Sequence, residues 1–145
     1  MTDLNYQVYT NQHFIIEQCR NCPIPGYLIV SPLKKAASIT ELDEEALCML
    51  GPMLALAVMA LRKVMKPLKI YCVQFGEENG KLHFHVFPRT KEITEEYLKE
   101  RPEEKKLIHG PVLFDWARER YKNVQDSQEV KDVIERIRGR LNYPE

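Results

Sequence analysis

Lys81-Leu82-His83-Phe84-His85-Val86-Phe87-Pro88-Arg89 is the stretch on which the fold of this chain turns. From Lys81 to Phe87 polar and apolar side chains alternate, the period of a strand with one face in a core. That period sends Leu82, Phe84 and Val86 to one face and Lys81, His83 and His85 to the other. Residues two apart on a strand are about 6.6 Å apart. Two imidazoles so placed can engage neighbouring atoms of one phosphate group, one as nucleophile and the other as hydrogen-bonding partner. Lys81 beside them would attract the anion. Pro88, which brings no N–H to a ladder, is expected to stop the strand.

On the N-terminal side, the turn-like run Gly76-Glu77-Glu78-Asn79-Gly80 separates this strand from another over 70–74. Before that, Leu47, Leu50, Leu54, Val58 and Leu61 recur at spacings of three and four, which predicts a helix with one apolar stripe packed on a sheet. The helix should start after Ser38 to Thr40, with Glu41, Asp43, Glu44 and Glu45 near its positive end, and run over about 42–66 to Pro67. Pro52 inside it predicts a kink or break. Short β-prone runs at 6–9, 14–16 and 27–30 are set off by Pro23, Pro25-Gly26 and Pro32. Beyond Pro88 the pattern turns helical and charged, over 93–100, 113–122 and 127–141. In the last of these Val130, Val133, Ile134, Ile137 and Leu141 form a continuous stripe behind a Ser127 cap. The order of elements predicts an α+β fold: an antiparallel sheet of about five strands, a long helix across one face, then C-terminal helices. Residues 1–110 would form the main domain and 111–145 a helical extension packed on it.

Composition narrows the function. Lys plus Arg (21) equals Asp plus Glu (21) over 145 residues, so the chain lacks the basic field of a dedicated nucleic-acid binder. Hydrophobic residues at 44% and charged residues at 29% are those of a globular protein. The uncharged run 46–61 is shorter than the roughly 20 residues of a membrane span and contains Gly51-Pro52, so it reads as a buried helix. The first six residues resemble no secretory signal, which makes a cytoplasmic protein the expectation, with Cys19, Cys22, Cys48 and Cys72 reduced. Cys19-Arg20-Asn21-Cys22 has the spacing of half a zinc site or a redox pair, but no second such pair follows and a loop is the simplest reading. Trp116, Phe114 and Tyr121 read as helix packing.

The histidine pair alone leaves three readings open: a phosphate site, a metal site completed by His13, His109 or a cysteine, or structural histidines bonded to backbone. Arg89 by itself fits a phosphate clamp or a surface ion pair equally. A longer comparison favours the first. His83-Phe84-His85-Val86-Phe87-Pro88-Arg89 resembles the signature of the histidine triad (HIT) superfamily, and Pro25-Gly26-Tyr27-Leu28-Ile29-Val30-Ser31-Pro32 resembles that superfamily's entry to a core strand. The similarity covers about residues 10–90. It implies a HIT-like sheet and a homodimer that hydrolyses or transfers nucleotides from nucleoside phosphate conjugates, such as a dinucleoside polyphosphate or a nucleoside phosphoramidate. The reaction would pass through a nucleotidyl-histidine intermediate, with no cofactor and no metal. By position, His83 is the nucleophile and His85 the phosphate-contacting histidine. Lys81 stands where the triad has its first histidine, and with Arg89 would offset phosphate charge. Lys35 stands where a histidine often follows the strand-ending proline. Cys19 falls at the place of a ribose-binding acid or amide, with Glu17, Gln18 and Asn21 as the nearest polar substitutes. Gln74 and Asn79 bracket a short loop that in relatives brings polar groups to the leaving group. The rivals are a nucleotide-binding protein of this type without turnover, and a metal-binding module using the two histidines.

Overall fold

The computed structural model describes residues 5–141, so the outer ends of the two expected segments, 1–4 and 142–145, lie outside the described residues. The elements are β1 (Gln7–Thr10), β2 (Phe14–Gln18), β3 (Leu28–Pro32), α1 (Glu44–Met65), β4 (Lys69–Val73), β5 (Phe84–Arg89), α2 (Lys91–Glu100), α3 (Gly110–Tyr121) and α4 (Gln128–Leu141). The five strands form one sheet in the order β1-β2-β3-β5-β4, with every neighbouring pair antiparallel. The α+β architecture expected from the sequence is the one observed.

Period-two burial explains the layers. Phe14, Ile16, Leu28, Val30, Phe84 and Val86 are buried on one face of the sheet, together with Met53, Ala57 and Leu61 of α1 and the Val130, Val133, Ile134, Ile137 and Leu141 stripe of α4. The opposite face buries Tyr27 and Phe87 under Ile93 and Tyr97 of α2 and Leu113, Phe114 and Ala117 of α3. Helices therefore cover both faces. Fully burying an aliphatic side chain such as Ile134 or Ile137 contributes about 2–3 kcal/mol, so the α4 stripe alone ties the C-terminal helix firmly to the sheet. Guanidinium bonds reinforce it: Arg138 Nε donates to the Gln7 carbonyl at 2.8 Å and Arg136 to that of Val64 at 2.9 Å. Trp116 packs edge-on against Tyr97, with ring centroids 5.4 Å apart.

Three local expectations are corrected. The signature strand begins at Phe84, not at Lys81, because Leu82 N–H donates to the Ala36 carbonyl at 2.8 Å instead of joining a ladder. Pro88 does not stop the strand, which runs to Arg89. Pairing with β3 ends at Leu28↔Val86, so at Pro88 the strand has a partner only in β4 and one side needs no donor. Pro52 does not break α1, which is continuous over 22 residues from an Asp43 cap whose Oδ1 accepts the Ala46 N–H at 2.9 Å. Pro52 and Cys48, whose carbonyl goes without its helical donor, both lie on the exposed side of the helix, where water can serve instead. By length and composition α1 could cross a membrane; here its Met53, Ala57, Ala60, Leu61 and Val64 face is buried against the sheet and α4.

The turn between β2 and β3 depends on a glycine. Gly26 has φ +81°, and a β-carbon there would stand 3.1 Å from Met65 Cγ and 3.2 Å from Leu61 Cδ2. Its N–H donates to buried Gln18 Oε1 at 3.0 Å, while Gln18 Nε2 donates to the Ile24 carbonyl at 2.8 Å. Gly26→Ala is expected to cost about 1–2 kcal/mol from the left-handed backbone alone, read as a lower urea midpoint with an unchanged slope.

Candidate active site

Strand pairing sets the site. β3 and β5 are neighbours with Ile29 opposite His85, and Tyr27, immediately before β3, lies on the same face as His85 and Phe87. His83 stands just before β5, where the chain comes off a left-handed turn with φ of +52° at Asn79 and +63° at Gly80. Asn79 Oδ1 accepts the Lys81 N–H at 3.0 Å and fixes the exit from that turn. The Lys81 carbonyl is thereby set 2.8 Å from His83 Nδ1. A carbonyl only accepts, so Nδ1 carries the hydrogen and Nε2 of the neutral ring keeps its lone pair. The His83 and His85 rings meet edge to face with centroids 4.9 Å apart.

His85 is only 5% exposed and is enclosed by Tyr27, Phe75 and Phe114. Burial, aided by His83 and the Arg118 charge, pushes its pKa down to about 4, so it is neutral at physiological pH. Its Nδ1 lies 2.7 Å from the Tyr27 hydroxyl. The phenol is held protonated by burial, and donation to Nδ1 satisfies its hydrogen, which leaves His85 Nε2–H as a donor. Tyr27→Phe removes the partner of a buried ring nitrogen and is expected to destabilise the fold by about 1–3 kcal/mol, measurable by urea unfolding at pH 7.

Both histidines line a cavity of about 410 Å³. The structure brings Lys35, Asn79 and Lys81 to its wall with them, and Glu17, Gln18, Cys19 and Asn21 as well. Gln18 is already committed to the Gly26 turn, and Glu17 pairs with Arg20 at 3.2 Å. Gln74 and Arg89 lie outside this wall. Arg89 is at the far end of β5, donating to Thr94 Oγ1 at 3.0 Å in the first turns of α2. A second cavity of about 520 Å³ adjoins the same histidines and is walled by Phe75, Pro111, Val112 and Phe114.

The residue that sequence reading missed is Arg118 of α3. It lines both cavities, lies over the Phe114 ring at 5.4 Å and faces Glu78 at 3.7 Å. Its Nε is buried without a hydrogen-bond partner, so the site holds an unmet donor beside the histidines. A signal was present: Arg118 follows Phe114 by four residues and so continues the buried Leu113, Phe114 and Ala117 side of α3.

The metal reading required a third ligand. His13 pairs instead with Glu45 at 3.3 Å, and His109 precedes α3 with its N–H donated to Glu104 at 2.7 Å. Among the described residues no three His, Cys, Asp or Glu side chains gather in a metal-holding group.

No family model matches the sequence, and no curated protein matches it. Solved structures do match in fold. A hypothetical histidine triad nucleotide-binding protein from Sulfolobus tokodaii aligns with TM-score 0.66 at 17% identity, over 94% of this chain and 83% of that one. A histidine triad protein from Bradyrhizobium japonicum gives 0.65 at 19% identity, over 93% and 89%. A zinc-bound histidine triad family protein from Mycobacterium smegmatis gives 0.61 at 12% identity, over 97% and 86%. The chain thus has the fold of histidine triad proteins, along its C-terminal helices as well as its sheet.

Proposed function

We propose that the protein is a nucleotide-phosphate hydrolase or nucleotidyl transferase acting on nucleoside phosphate conjugates, a dinucleoside polyphosphate or a nucleoside phosphoramidate. The observation that carries this reading is the bond from His83 Nδ1 to the Lys81 carbonyl, which in the neutral ring puts the lone pair on Nε2 of a histidine that lines the cavity. In the first step Nε2 bonds to the α-phosphorus as the bond from phosphorus to the leaving group breaks. Water then attacks phosphorus, the N–P bond breaks, and neutral His83 returns. His85 donates from Nε2 to a phosphoryl oxygen or to the departing group. Lys81, Lys35 and Asn79 face the phosphates, and Arg118 takes the charge-offsetting part first expected of Arg89. Gln74 has no part in this scheme. Residues 1–110 and 111–145 work as one unit in it, because Arg118 comes from the second segment.

The proposal includes a homodimer in the cytoplasm. β4 is an edge strand, and Cys48, Gly51, Pro52, Ala55 and Met59 make an exposed, uncharged side of α1. Sedimentation at micromolar concentration should give twice the chain mass. Four free thiols suit a reducing compartment.

A panel of nucleoside phosphate conjugates, incubated with wild type and with His83→Ala, tests the function. The expected result is release of a nucleoside monophosphate by wild type only. Tight binding without turnover would support the non-catalytic reading instead, and stoichiometric zinc lost in His83→Ala would support the metal-binding one.

A further inference from the structure

Cys19 and Cys22 take no part in the scheme above, yet both line the histidine cavity. They bracket the turn leaving β2, and backbone bonds hold that turn: Cys19 N–H to the Tyr27 carbonyl and Ile24 N–H to the Cys22 carbonyl, each at 2.7 Å. The two side chains are neighbours on this turn and influence each other electrostatically, and Cys22 Sγ lies against α3, donating to the Arg118 carbonyl at 3.5 Å. Cys19 is half-buried and Cys22 buried, and both open onto the histidine cavity. Cys48 and Cys72 are exposed.

The electrostatics separate the two sulfurs. The neighbouring Cys19 thiol and the positive charge of Arg118 bring the Cys22 pKa down to about 7 against the effect of its burial. Cys19, beside Cys22 and itself desolvated, is pushed up and keeps its proton. At neutral pH the pair is therefore divided between a Cys22 thiol bonded to the Arg118 carbonyl and a nucleophilic Cys22 thiolate, each beside the resolving thiol of Cys19.

We infer that Cys19 and Cys22 form a reversible dithiol–disulfide couple in the wall of the histidine cavity, oxidised by a small peroxide. The Cys22 thiolate attacks one oxygen of hydrogen peroxide; the S–O bond forms, the O–O bond breaks and hydroxide leaves. Cys19 sulfur then attacks Cys22 Sγ. The S–S bond forms as the S–O bond breaks, and the Cys19 proton departs with that oxygen as water. Two electrons pass from the sulfurs to the peroxide, and a thiol reductant reverses the change. A small oxidant is specified because Cys22 is buried in the cavity wall. The couple does not depend on nucleotide turnover.

The test uses the full reduced chain, treated with hydrogen peroxide, blocked with iodoacetamide, digested and mapped by mass spectrometry. The expected product is a Cys19–Cys22 link, two hydrogens lighter and recovered by dithiothreitol, with Cys48 and Cys72 still alkylated. In Cys19→Ser, a dimedone adduct should appear on Cys22. In Cys22→Ser, oxidation of Cys19 should fall at least tenfold. Alkylation of Cys19 and Cys22 as complete as that of Cys48 and Cys72 after peroxide would overturn the inference, as would links found only between chains. Activity on nucleotides enters none of these readouts, so this couple and the proposed function stand or fall separately.

Discussion

Replacing His83 by alanine is expected to lower turnover of a nucleoside phosphate conjugate by about 10³-fold or more, because covalent catalysis loses its nucleophile while the rest of the cavity stays in place. His83 is half-exposed and its ring bonds to the Lys81 carbonyl two residues back, so removal of the ring leaves no buried partner unpaired. The variant should accordingly fold with near wild-type stability and still bind product. Steady-state kinetics beside urea unfolding separates the two effects: kcat collapses, and the unfolding midpoint moves little. A parallel fall in both would mean that the ring holds the structure rather than the reaction.

The second large effect concerns pH. In the folded state the His85 pKa is pushed down to about 4, against an ordinary value near 6.5, chiefly by burial. Between these values the unfolded chain takes up a proton that the folded chain refuses. Stability from this residue is thus fully present above about pH 6.5 and is lost as pH falls toward 4, by about 3 kcal/mol in all. Urea unfolding at pH 7 and at pH 5 should show wild type losing about 2 kcal/mol from this source. His85→Asn, which keeps an acceptor for the Tyr27 hydroxyl and has no titrating ring, should lose correspondingly less. An equal loss in both proteins would assign the acid sensitivity to other groups.

How much of this was legible in the sequence depends on the range of the interaction. The alternation through Leu82, Phe84 and Val86 is local, and it correctly placed those three in the core and the two histidines together on the other side. The stripe of α4 was equally legible, since five apolar residues at helical spacing need a surface to cover. The start of β5 was not, because the Asn79 and Gly80 turn and the Leu82 bond to Ala36 take the chain out of the ladder without disturbing its apolar period. Pro88 was misjudged for a related reason: whether a missing N–H matters depends on which neighbours the strand has at that point, and periodicity does not report neighbours.

The site divides in the same way. His83 and His85 lie two residues apart and were found from spacing. Tyr27 and Arg118 approach them from 58 residues earlier and 33 residues later than His85, and only the tertiary fold brings them there. Arg89 illustrates the opposite case. It belongs to the signature stretch, yet four residues of extended chain carry it about 13 Å from His85, to a bond with Thr94. Cys19 and Cys22 were visible as a spacing, and their meaning comes from their shared place in the cavity wall and from Arg118 beside them.

The most direct measurement is capture of the covalent intermediate. Wild-type protein mixed briefly with a nucleoside phosphate conjugate is quenched in alkaline denaturant, which spares the acid-labile N–P bond, and the peptides are mapped by mass spectrometry. The account predicts one nucleoside monophosphate on His83 and none in His83→Ala. Turnover with the label on another residue, or turnover undiminished in His83→Ala, would contradict it.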